Sequence, residues 1–225
     1  MMSGSSPTDA QALLMLSHVL PQADGSEQRQ RAWQLLTTAA RTHRVYLACL
    51  VDGPAQLEHW RALQPYTAAC LMEAPAAGLG FDPQSHAQRC SRSLGWALQP
   101  WLAQTRFDAA IASSPLLWPA AARVSARLRL CDLNWPRSLQ HRRISREGSA
   151  LQRWWHWRQF GRHDRFERQI ARECDVLIVS HHDASRRYLL EPCRTIVVAP
   201  GESMHAWDLQ EALQTPRQPA IALAA

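Results

Sequence analysis

The sequence predicts an α/β fold: a Rossmann-like, doubly wound single domain on a mainly parallel sheet of roughly seven strands. Three observations carry that prediction. The run Val176-Leu177-Ile178-Val179 is apolar without alternation, which suits a strand covered on both faces, as in a parallel sheet flanked by helices. Short runs of the same kind recur along the chain with helix-period segments between most of them, the pattern of parallel strands joined by right-handed crossovers. A chain of 225 residues at 46% hydrophobic composition can bury one full core, and one α/β domain uses nearly all of it.

In chain order, the first strand is expected at Leu13–Ser17. Asp24-Gly25-Ser26 then signals a turn, and Ser26 is placed to cap a helix over Glu27–Arg41 that carries Trp33, Leu35 and Leu36. A strand at Val45–Val51 precedes a helix at Pro54–Leu63, where proline suits the first turn. Further strands are expected at Ala69–Glu73, Ala109–Ser113 and Leu128–Leu133, with helices at Gln84–Gln104 and Leu116–Ala126 between them. After a helical, charged stretch ending at Glu173 comes the strand Val176–Ser180, where Ser180 caps a following helix with Asp183 near its positive end. The last strand is Thr195–Ala199. Residues 1–11 are expected to be disordered and 12–205 to form the domain; 206–225, with Pro216, Pro219 and a strand-like Ala220–Ala224, reads as a linker and the start of a truncated second domain.

Composition narrows the function. The polar N-terminus lacks a signal-peptide core and no apolar run approaches membrane-spanning length, so a cytoplasmic location is the expectation. The six cysteines are scattered without a CxxC pair, which favours buried reduced thiols over a metal site or a disulfide framework. The formal charge is +6, and all 25 basic side chains are arginine because the sequence has no lysine. Ten of them crowd the segment from Arg137 to Arg172 against Glu147, Asp164 and Glu167, a basic surface suited to an anionic partner.

Three stretches can carry chemistry. The turn at Gly25 and Ser26 follows a strand and opens a helix, where free N–H groups bind phosphates or carboxylates; it also reads as an ordinary strand-to-helix turn. Asp132 and Asn134 lie at a strand's carboxyl end, where either can hold a sugar hydroxyl or a proton in flight, or simply form an Asx-type turn before Pro136. In the Arg/Trp helix of residues 150–172, Trp154, Trp155 and Trp157 can pack the helix on the sheet, sit at an anionic membrane surface or stack nucleobases. His181-His182-Asp183 has no third ligand in view and reads as a cap. GxSxG, Walker, HExxH and GxGxxG signatures are absent.

The Pro21 to Arg31 loop-helix, the "VDGPAQ" after the second strand, and above all "FERQIARECDVLIVSHHDASRRY" followed by "TIVVAPGES" resemble the N-terminal half of GT-B glycosyltransferases. The closest likeness is to the family-four-like sugar transferases associated with bacterial exopolysaccharide systems. The resemblance implies an acceptor-binding half that works opposite a second Rossmann-like domain holding the nucleotide-sugar donor. It implies that the chain is inactive without that domain, whether as a truncated product or as one partner of a split enzyme. Asp132 would position or activate the acceptor hydroxyl, Gly25 and Ser26 would make close backbone contact, and Arg31 would meet an acceptor phosphate, with Asn134 beside it. The family's loop glycine falls on Glu27, two residues from Gly25; its Pro-Asn-Gly hinge reads Ala199-Pro200-Gly201, and Ser203 stands where an aspartate is customary. No cofactor or metal is implied. The implied partners are a saccharide or lipid-linked acceptor, and a nucleotide-sugar through the second domain alone. Two other classes stay open: a non-catalytic scaffold at the inner membrane surface and, on charge alone and last, a nucleic-acid binder.

Overall fold

Alternation along the first strand sets up both cores. Leu13 and Met15 point into one apolar layer, Leu14 and Leu16 into the other, and all four are fully buried. A computed structural model describes residues 11–51, 53–74, 82–134, 136–179, 188 and 191–197, for 54–57 and 134 through the backbone.

Among the described residues seven strands form one sheet: β1 (Ala12–Ser17), β2 (Arg44–Leu50), β3 (Ala69–Glu73), β4 (Phe107–Ala112), β5 (Ala126–Asn134), β6 (Val176–Val179) and β7 (Arg194–Val197). Their order is β3-β2-β1-β4-β5-β6-β7 and every neighbouring pair is parallel. The seven strands expected between Leu13 and Ala199 are present, with the described ends within two residues at each N-terminus.

Helix α1 (Glu27–Ala39) covers one face through Ala32, Leu35, Leu36 and Ala39. The other face takes α2 (Pro83–Ala97), α3 (Gln99–Gln104), α4 (Trp118–Ala121) and the long α6 (Ala150–Glu173), anchored by Leu94, Trp118, Phe166 and Ile170. A short α5 (Arg137–Ile144) precedes α6 and packs along it. The crossovers change face on passing from β1 to β4, and that change creates a crevice at the strands' carboxyl ends.

Several helices differ from expectation. The single helix expected over Gln84–Gln104 is two, broken at Leu98, because Pro100 has no N–H to donate and its ring crowds the preceding turn. The segment Pro54–Tyr66 is 3₁₀ rather than α, with Pro65 inside it. The helix expected at Leu116–Ala126 shrinks to a 3₁₀ turn, Pro115–Leu117, and the four residues of α4, since Ala126 is already paired with Phe107 in the sheet. Ser26 occupies the N-cap position of α1 but its side chain makes no capping hydrogen bond; Gln30 Nε2 instead donates to the Gly25 carbonyl at 2.9 Å. At α6 the cap is complete: Ser149 and Gln152 form a reciprocal capping box. The expected cap at Ser180, the His181-His182-Asp183 run, the hinge at Pro200 and Gly201, and residues 206–225 lie outside the described residues, as do residues 1–10.

The cysteines are free thiols, four buried and two half-buried. Among the described residues no helix is long and apolar enough to cross a membrane.

Candidate functional site

The ends of β1 and β4 are stitched side by side. Ser113 N donates to the Leu16 carbonyl at 2.8 Å, Ser113 Oγ to Ser17 Oγ at 3.1 Å, and Ser17 Oγ to the Val19 carbonyl at 2.6 Å. From this seam the chain departs toward α1 on one face and α4 on the other.

Arg31, one turn into α1, reaches across the seam to β5. Its Nε donates to Asp132 Oδ2 at 2.9 Å and its Nη2 to Oδ1 at 3.2 Å, a two-point grip between residues 101 apart in sequence. Asp132 is 1% exposed and Arg31 9%, so water competes little for either. The β5–β6 register shifts between Asp132 and Asn134, an irregularity of the kind that re-aims side chains at the rim of a site.

The cleft that this pair walls has a volume of about 540 Å³. His18, Glu27 and Gln28 line its α1 side, Ser113 to Leu116 its floor, and Arg137, Gln140, Arg143, His163, Phe166 and Glu167 its α5–α6 side. Glu167 is 2% exposed and holds α5 in place: its Oε1 accepts from Ser138 N at 3.1 Å, and its Oε2 accepts from Ser138 Oγ and, at 3.1 Å, from Tyr188 OH. A carboxylate at the first turn of a helix meets unsatisfied N–H groups and the positive end of the dipole.

Burial holds His163 and His141 below the ordinary histidine value. Burial, then the neighbouring His141 and Arg137, push His163 down to about 4, with Asp82 opposing, so its ring is neutral at pH 7. It stacks on His141 at 5.0 Å between centroids. His141 Nδ1 and His156 Nδ1 are 3.0 Å apart, a contact in which one ring donates and the other accepts. His18 Nε2 lies 3.3 Å from Gln28 Oε1, a contact in which the ring donates when its proton is on Nε2.

Of the residues expected from sequence, Arg31 and Asp132 line the cleft, and they grip each other. Asn134 ends β5 with its backbone opposite Val179. Gly25 and Ser26 are not among the lining residues; a Cβ on Gly25 would come within 2.9 Å of the Arg29 side chain, so this glycine lets the loop pack closely on α1. The α1 wall is built by Glu27 and Gln28 in their place. Sequence reasoning missed His18, Arg137, Gln140, Arg143 and His163. For His18 the signal was present, since it directly follows the first strand; for the others, nothing in the basic segment distinguishes cleft from solvent. Among the described residues no group of three His, Cys, Asp or Glu side chains is arranged to hold a metal ion.

No family model and no curated protein matches the sequence. Solved structures do. The chain is similar to a Polygonum tinctorium UDP-glucosyltransferase that glucosylates indoxyl, solved with 3,4-dichloroaniline, at 10% identity and a TM-score of 0.51 over 86% of this chain and 53% of that one. A Siraitia grosvenorii transferase in complex with UDP gives 11% identity, a TM-score of 0.49 and coverage of 88% and 54%. Medicago truncatula UGT71G1 with UDP-glucose gives 9%, 0.49, and 84% and 52%. The chain thus spans about half the length of these structures. The likeness is one of fold: a single α/β domain on an all-parallel seven-stranded sheet, matching the Rossmann-like half of a GT-B glycosyltransferase.

Proposed function

We propose that this domain is the acceptor-side half of a GT-B glycosyltransferase, of the family-four-like kind associated with exopolysaccharide systems, and that its cleft holds a saccharide or lipid-linked acceptor. The observation that supports this most is the buried Arg31–Asp132 pair, which walls a cleft at the carboxyl ends of parallel strands where the crossovers change face. The nucleotide-sugar would be held by a second domain, from the same polypeptide or a separate one, and transfer would require it.

In the reaction the acceptor oxygen bonds to the sugar's anomeric carbon, the bond from that carbon to the nucleotide diphosphate breaks, and the acceptor proton passes to a base. Both carboxylate oxygens of Asp132 accept from Arg31, which suits Asp132 to positioning rather than to taking that proton. His18 suits the base role because it lines the cleft at the end of β1. Arg137 and Arg143 would meet an acceptor phosphate on the opposite wall, with Gln28 and Gln140 donating to hydroxyls.

The test is saturation-transfer NMR on the domain with neutral saccharides, sugar phosphates and UDP-glucose. Saccharide or sugar-phosphate signals weakened by Arg137→Ala, with none from UDP-glucose, would support the assignment. Signals from UDP-glucose alone would overturn it. For the base, adding a donor-binding domain should restore transfer, and His18→Ala should lower its kcat about 100-fold or more; unchanged kcat removes His18 from that role.

A further inference from the structure

The first two turns of α6, packed against α5, leave large apolar side chains exposed. Leu151 is 74% exposed, Trp154 56%, Trp155 40% and Trp157 61%, and Ile144 at the end of α5 adds 38%. The expectation that these tryptophans pack the helix on the sheet therefore does not hold; Gln159, His163, Phe166, Glu167 and Ile170 do that. At about 100° per residue, the packing residues fall on one side of α6, and Trp154, Trp157, Arg158 and Arg165 fall on the other.

The same hairpin is strongly basic. Arg142, Arg143, Arg146 and Arg153 are exposed beside the apolar group, and none of them, nor Arg158, forms an ion pair with another described residue. The guanidinium of Arg158 lies over the Trp154 ring at 5.6 Å, and Trp157 leans on Phe160 with ring centroids 5.3 Å apart.

We propose that the α5–α6 hairpin seats the domain on an anionic phospholipid bilayer. Indole rings favour the headgroup level, where one end is apolar and the other wet, and guanidinium groups pair with lipid phosphates. An exposed stripe of tryptophan and leucine rimmed by unpaired arginines matches both layers of that surface. Base stacking on nucleic acid fits less well: one face of Trp154 is already occupied by Arg158, and Leu151 and Ile144 offer a base no stacking face. Arg143 belongs to this hairpin and also lines the cleft, so seating would bring the cleft's basic wall to the bilayer surface. Docking itself does not depend on any sugar transfer.

Co-sedimentation with vesicles tests it, comparing phosphatidylcholine alone with phosphatidylcholine containing about one third phosphatidylglycerol. The wild-type chain should partition onto the anionic vesicles with a blue shift of tryptophan emission, and 0.5 M salt should weaken the binding. Trp154→Ser with Trp157→Ser should reduce partition at least tenfold, and Arg153→Glu with Arg158→Glu should reduce it by more than about fivefold per arginine. Both pairs are exposed, and far-UV circular dichroism confirms that the variants fold. Equal binding to neutral and anionic vesicles, no binding at all, or binding indifferent to both pairs would overturn the proposal. So would tighter retention on single-stranded RNA than on anionic vesicles at the same salt.

Discussion

Removing Asp132 strands the Arg31 guanidinium, 9% exposed, against the end of the sheet with no counter-charge in place of the carboxylate it grips at 2.9 and 3.2 Å. Breaking one partner of a buried pair typically destabilises by about 3–5 kcal/mol, because the surviving charge has lost its compensation without regaining water. For a domain of this size each kcal/mol lowers Tm by about 2–4 °C, so Asp132→Ala should melt roughly 6–20 °C below the wild type. Arg31→Met should fall in the same range, leaving Asp132 at 1% exposure. The double variant, Arg31→Met with Asp132→Leu, buries no unpaired charge and should be less destabilised than the sum of the singles by about 1–3 kcal/mol. Urea denaturation of the four proteins provides the cycle. If each single change costs under about 1 kcal/mol and the double is their plain sum, the pair is neither desolvated nor coupled, and its place as the structural wall of the cleft is refuted.

Three further outcomes are expected. His163 has its folded pKa lowered to about 4, so the unfolded chain binds the extra proton first; stability should be full above the ordinary histidine value, fall as pH drops from about 6.5 toward 4, and level off below. The loss should be about 2 kcal/mol after solvent screening is allowed for, and His163→Gln should flatten that part of the profile in urea titrations; an unchanged slope counts against it. Gly148 has φ of 88°, and a Cβ there would sit 2.6 Å from Gln152 Oε1, so Gly148→Ala should disturb the capping box, cost about 1–2 kcal/mol and speed amide exchange in the first turn of α6. Trp118 Nε1 donates to Glu173 Oε2 at 2.7 Å, tying α4 to the end of α6; Trp118→Phe should cost about 1–2 kcal/mol by chemical denaturation, and a neutral result would mean the bond contributes nothing net.

Apolar runs, turns and helix-period segments, all local, were enough to determine seven strands and the parallel class of the sheet. Val176–Val179 needs helices on both faces whatever the rest of the chain does, whereas the break at Pro100, equally local, was passed over by the single helix expected at Gln84–Gln104. Strand order, the change of face between β1 and β4, and the meeting of Arg31 with Asp132 across 101 residues were decided only by the tertiary structure, because no local pattern encodes which strands become neighbours. The Arg/Trp segment shows the same division from the other side. Its composition is that of an amphipathic helix, yet tryptophans and arginines occur all around its first turns, so periodicity alone could not say which face is covered. The α5–α6 hairpin settles that by turning Gln159, His163, Phe166, Glu167 and Ile170 inward and leaving Trp154 and Trp157 to the solvent. Burial is a property of the assembled packing, and a side chain's place in it depends on neighbours that arrive from distant parts of the chain.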